Sequence, residues 1–143
     1  MQKKTKTNSC EKGQSLVEFA VSIVVLLILL AGAVDMGRAM FTYMAMRDAA
    51  QEGALYGSLN PTDTAGIRAH IRGASDQVNG LNLADGDIVV THDGTPCTGE
   101  SIHIQVTLQN FQITMPFLGT LIGRQSFPIR VTVTDTILRP ACT

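Results

Sequence analysis

The sequence predicts an α+β fold organised around one long N-terminal helix, and three observations carry that expectation. An apolar run from Phe19 to Val34 passes without a break into an amphipathic pattern that no proline interrupts before Pro61. A second, shorter helical pattern follows. The rest of the chain alternates apolar and polar residues as strands do. The expected architecture is a long transmembrane and stem helix, a second helix, and a small antiparallel sheet of about three strands. Residues 1–13 read as a basic cytoplasmic leader and 14–34 as a transmembrane segment. Residues 35–59 read as an amphipathic helical stem, and 60–143 as a small exported domain.

The leader, MQKKTKTNSCEKG, is short, polar and basic, with nothing to pack. It holds all four lysines of the chain, and every later cation is an arginine. Positive residues just before a span hold that end in the cytoplasm, so the chain after Val34 is expected outside. The formal net charge of −1 hides this asymmetry. A chain cut after Gly13 keeps seven arginines against eleven acids, which leaves no basic patch for nucleic acid.

A membrane-spanning helix needs roughly 20 mostly apolar residues, and Gln14–Val34 meets that length with Glu18 as its only charge. A carboxylate at mid-bilayer costs about 2.5–3.5 kcal/mol on insertion scales, and less near an end. Glu18 lies near the cytoplasmic end, where Gln, Ser or Ala would be less costly. An ionisable residue kept there is a functional candidate.

Beyond the span, Asp35-Met-Gly-Arg38 places opposite charges three residues apart, neighbours on a helix surface. Met36, Met40, Tyr43 and Met44 recur at three- and four-residue spacing, followed by Ala50, Ala54 and Leu55. One helix is expected from about Ser15 to Leu59, ended by Asn60-Pro61. Its methionine stripe reads as packing surface rather than as a metal or haem site. Gly32, Gly37, Gly53 and Gly57 each weaken a helix by up to about 1 kcal/mol relative to alanine. Gly53-xxx-Gly57 has the spacing of a close-packing motif of membrane helices, but it lies outside the span, where that signal carries less.

A second helix is expected from about Asp63 to Val78. Thr62 or Asp63 can cap it, Ala65, Ile67, Ala69, Ile71, Ala74 and Val78 form an apolar face, and Asn79-Gly80 ends it. Strands are expected over Asp87–Thr91, Ser101–Leu108 and Phe127–Leu138. Ile102, Ile104, Val106 and Leu108 share one face, as do Ile129, Val131 and Val133. Asp93-Gly94 with Pro96 marks a turn. Met115–Gln125 (MPFLGTLIGRQ) is an apolar connection, either a covered loop or a surface meant for a partner. If the last two strands pair as an antiparallel hairpin, Cys97 and Cys142 lie beside each other. A Cys97–Cys142 disulfide is therefore expected, in the oxidising space where such bonds persist. It would contribute typically 2–4 kcal/mol.

Catalytic machinery is not legible. His70, His92 and His103 are scattered and read as structural. Asp85, Asp87, Asp93 and Glu100 cluster around turns but lack the calcium-loop pattern. There is no phosphate-binding glycine loop, no CxxC and no Cys/His pair at zinc spacing. No enzyme, cofactor or metal site is expected.

Three readings of the anchor compete. Ala31-Gly-Ala33 after an apolar core resembles a secretory cleavage site, although the helical pattern runs straight through that cut. An uncleaved single-pass anchor presenting a small binding domain is the second. The third rests on a family resemblance. Gly13-Gln-Ser-Leu-Val-Glu18-Phe19 resembles a prepilin start: a glycine before the cut, glutamate fifth in the mature chain, and an aromatic after it. Asp35-Met-Gly-Arg38, Tyr43 and Ala49-Ala50-Gln-Glu52-Gly53-Ala54 resemble the D-x-G-R and A-A-R-E-G-A stretches of TadE-like pseudopilins of the tight-adherence (Tad/Flp) pilus system. Gln51 and Leu55 depart from that pattern, standing where arginines are expected.

The resemblance implies a pilin-like α+β fold and cleavage between Gly13 and Gln14 by a membrane-embedded prepilin peptidase. It implies a protein of the cytoplasmic membrane or the pilus surface, active in pilus assembly, adhesion or secretion. Its partners would be the bilayer, the assembly machinery, and other pilins met through the N-terminal helix. There the Glu18 carboxylate could meet the Gln14 amine of a neighbour. Two unit charges about 4 Å apart attract by roughly 4 kcal/mol at an effective dielectric near 20.

Overall fold

The computed structural model describes residues 11–76, 81–115 and 123–141. Helix α1 runs unbroken over Glu11–Leu59 and carries the rest of the molecule on its C-terminal half. Helix α2 covers Thr64–Ser75, and a single 3-10 turn at Asp85–Asp87 leads into the sheet. Strands β1 (Ile88–His92), β2 (Ser101–Gln112) and β3 (Ser126–Thr136) form one antiparallel sheet in the order β1-β2-β3. The α+β class and the three-stranded sheet are those expected from the sequence.

Asn60-Pro61 ends α1 as the pattern requires, and Pro61 is itself buried. Asp63 caps α2: its carboxylate accepts a 2.9 Å bond from the Gly66 N–H, one of the donors that a helix start leaves unpaired. α2 closes at Ser75, three residues short of the expected end, with Asp76 as its C-cap. Asn79-Gly80 lie outside the described residues. Ile67 and Ile71, one turn apart, turn inward from α2 and are fully buried.

The sheet keeps the expected alternation. Ile102, Ile104 and Val106 are fully buried, with Ile129 and Val131 beside them on β3. β2 runs four residues past Leu108, because a bulge between Leu108 and Phe111 resets the alternation and returns Phe111 to the core. Pro128 is tolerated because β3 is an edge strand. The β1–β2 turn uses Gly94 and Gly99, both at positive φ (78° and 97°), where a side chain would be strained. β3 ends at Thr136. Ile137 stays buried, and the Leu138 and Arg139 N–H groups both bond to Ser58 O, tying the chain end to the top of α1.

One core results. Met46, Ala49, Ala50 and Ala54 of α1, the two isoleucines of α2 and the inner face of the sheet form a single buried cluster. The other half of α1 has no such partners. From Gly13 to Leu30 every residue is exposed. The helix is long and apolar enough to cross a membrane, with its most apolar stretch wholly outside the folded part, and it fits a single-pass anchor.

Candidate functional site

The residues singled out in the sequence fall into two groups along α1. Gly13, Gln14, Glu18 and Phe19 sit on the naked half and are all exposed. Glu18 accepts a 2.8 Å bond from the Ser22 hydroxyl through its backbone oxygen, one turn away, and its carboxylate has no partner among the described residues. From Gly13 to Leu30 this half presents a bare apolar cylinder in which Glu18 is the one acid.

The second group sits where the folded domain meets the helix. Asp35 does more than pair with Arg38. Its two carboxylate oxygens accept the backbone N–H groups of Thr114 (3.2 Å) and Met115 (2.8 Å), just past the end of β2. Arg38 Nη1 reaches Asp35 at 3.4 Å, donates to the Thr114 hydroxyl, and its guanidinium lies 5.6 Å from the centre of the Phe111 ring. Asp35 and Arg38 therefore fasten the end of the hairpin to the helix, although the partners are 76 to 80 residues apart in the chain. The Asp35 side chain is only 12% exposed. Burial pushes its carboxyl up, but the Met115 and Thr114 N–H groups, the Thr114 hydroxyl and Arg38 more than offset this and hold it below the ordinary carboxylate value.

Further up, Ala49, Ala50, Gly53 and Ala54 form the seam that α2 and the sheet pack upon. A Cβ on Gly53 would run into the Ile71 side chain, and one on Gly57 would lie 2.6 Å from Ile102 Cδ1. The Gly53-xxx-Gly57 pair is thus a close-packing motif used within the chain, although it lies outside the span. Glu52 points away from this seam and comes within 4.0 Å of His70. Gly37 and Tyr43 are exposed.

The histidines all have partners. His70 stacks on Tyr56, with ring centres 4.3 Å apart. His92 bonds to Pro61 O, and His103 bridges Thr134 and Asp93. Tyr56 donates a 2.8 Å bond to Asp63. This bond and the Gly66 N–H hold the Asp63 carboxyl low, with the Gly66 contribution the larger. Among the described residues, no group of three His, Cys, Asp or Glu side chains is placed to hold a metal.

Cys97 is buried just before β2. The Thr98 N–H bonds to Pro140 O at 2.7 Å, and Ser101 pairs with Thr136, so the expected register is present. Cys142 lies outside the described residues.

Sequence reasoning missed the Asp35 clamp and the Tyr56–Asp63 bond. Nothing near Asp35 in the chain announces residues 114 and 115. Comparison with known proteins gives one result: residues 13–55 match the family described as TadE-like protein. No curated protein and no solved structure matches the chain.

Proposed function

From the TadE-like character of residues 13–55, we propose that this chain is a minor pilin or pseudopilin of a tight-adherence pilus system, cut after Gly13 by a prepilin peptidase. The observation that carries the reading is the contrast within α1. One continuous helix leaves its first half bare, apolar and marked by Glu18, while its second half is the backbone of a folded domain. A bare apolar helix is a membrane anchor, and it is equally suited to packing against like helices in an assembly.

In this reading the Gln14 amine of one subunit pairs with Glu18 of the next, which sets their stagger. The cleavage site faces the cytoplasm, and the α2–sheet domain lies on the far side of the inner membrane or on the pilus surface. The chain acts through other pilins and the assembly machinery and is not an enzyme. Cys97 and Cys142 form a disulfide that closes the open end of the hairpin.

A cut after Ala33 is less compatible with the fold. It would begin the mature chain at Val34, one residue before Asp35, removing the helical turn that presents the clamp. Determining the N-terminus of the mature protein tests the reading. Gln14 is expected; Val34 would replace it with the secretory reading, and an intact Met1 with the plain anchor. In the same cells Glu18→Ala should leave membrane insertion intact and reduce assembly. Unchanged piliation would remove the pairing role.

A further inference from the structure

We propose that the described ends of β2 and β3 beside the helix, Phe111–Met115 with Phe127, are a second membrane contact, seated in the bilayer interface at the face where α1 emerges. The proposal rests on the anchor reading of α1 and goes beyond it. A one-helix anchor leaves the domain free to swivel; a second contact fixes its height and orientation.

Position is the first argument. The Asp35 clamp holds Thr114 and Met115 one residue above the end of the apolar run. Beside it, Gly32, Met36 and Ala39 of the helix and Phe111, Ile113 and Phe127 of the hairpin line an apolar cleft of about 250 Å³. Gly32 belongs to the span itself. Residues 14–34 extend about 31 Å as a helix, against a hydrocarbon thickness of about 30 Å. The span has no length to spare, so a hairpin end level with Gly32 lies at the membrane boundary.

Chemistry is the second argument. Phe127 is 39% exposed and Met36 is 77% exposed, so this end presents apolar surface towards the bilayer. Arg38 and Arg124 are exposed beside it. Apolar side chains such as Phe that enter the headgroup–acyl boundary, flanked by arginines that reach the headgroups, are the pattern of an interfacial contact. Three described backbone N–H groups here are also paired within the chain, as an environment poor in water requires. Thr114 and Met115 donate to Asp35, and Ile113 donates to Gln125 O at 3.0 Å. The clamp thereby pairs the Thr114 and Met115 N–H groups where the strand end approaches lipid.

The chain contains no tryptophan, so single introduced tryptophans report depth without background. The full chain is reconstituted in phosphatidylcholine vesicles carrying bromine near the headgroup or near the chain ends. Phe127→Trp and Ile113→Trp should be blue-shifted and quenched most by the shallow bromines. Leu138→Trp, whose backbone is tied to Ser58 more than twenty residues up the stem, should stay unquenched. Leu26→Trp should be quenched by the deep bromines. Equal, weak quenching at positions 113, 127 and 138 would overturn the proposal. A blue shift without quenching at 113 and 127 would also overturn it, since protein would then fill the cleft. Loss of quenching at Leu26 would instead remove the anchor reading itself. Two reporters on different strands guard against one variant failing to fold.

Discussion

The two halves of α1 are continuous in backbone and opposite in surroundings. Between Leu16 and Leu30 the helix carries Leu, Val and Ile on every side, and all of them are exposed. Between Ala49 and Gly57 the inward positions are Ala49, Ala50, Gly53, Ala54 and Gly57, and all are buried. Side-chain size explains the inversion. Bulky residues all round keep neighbours at a distance and suit an apolar solvent. Small residues on one face let α2 and the sheet come close to the helix backbone, so that isoleucines from those elements fill the space. Hydrophobicity alone would assign the core to the wrong half.

The largest break in that comparison comes from truncating one large side chain in each half. Ile102→Ala empties a fully buried site where the sheet meets Gly57. It should destabilise the domain by about 2–5 kcal/mol. Leu27→Ala removes a similar volume from a side chain that is 58% exposed, and should leave domain unfolding unchanged. Denaturant unfolding of the full chain in detergent, followed by near-ultraviolet circular dichroism, measures both. Comparable losses would mean that the naked half is packed after all.

A smaller effect, of opposite sign in two places, comes from adding a methyl group. Gly53→Ala drives a Cβ into Ile71 close to its branch point, where the side chain has little room to yield. A loss of about 1–3 kcal/mol is expected. At Gly37 a Cβ meets nothing within 4 Å, so Gly37→Ala should gain up to about 1 kcal/mol from helix propensity. The same unfolding assay decides. A loss at Gly37 would show that this glycine faces a partner.

Much of this was legible in advance because the signals are local. Periodicity marked α1 through Leu59, Asn60-Pro61 marked its end, and alternation at Ile102, Ile104 and Val106 gave the buried face of the sheet. Small-residue spacing at Gly53 and Gly57 was also visible, although its partner was not. The Asp35 clamp was not legible. A helical Asp three residues before an Arg is fully accounted for as a surface pair, and only the fold brings Thr114 and Met115 to it. The bulge after Leu108 was hidden for a related reason, since Gln109 and Asn110 break the alternation and read as a strand end.

The smallest effect separates the two carboxylates that tie elements together, and pH resolves it. Asp35 and Asp63 both have carboxyls held below 3.8, the ordinary value. A lowered folded-state pKa adds stability above the unfolded pKa, which is lost as pH falls through the folded one. Both clamps should therefore weaken below about pH 4. Tyr56 behaves in the opposite sense. Its bond to Asp63, then burial, raises its hydroxyl above 10.0. That contribution is present below the unfolded pKa and lost as pH rises beyond it. The Tyr56–Asp63 bond thus shapes both ends of the stability profile, whereas Asp35 shapes only the acid end. Tyr56→Phe should remove the alkaline decline and soften the acid one. Asp35→Asn should soften the acid decline and leave the alkaline limb in place. Thermal midpoints of the three chains between pH 3 and 11 test this. An alkaline limb that survives Tyr56→Phe would show that another group controls it, and that the α1–α2 bond is weaker in solution than its 2.8 Å length implies.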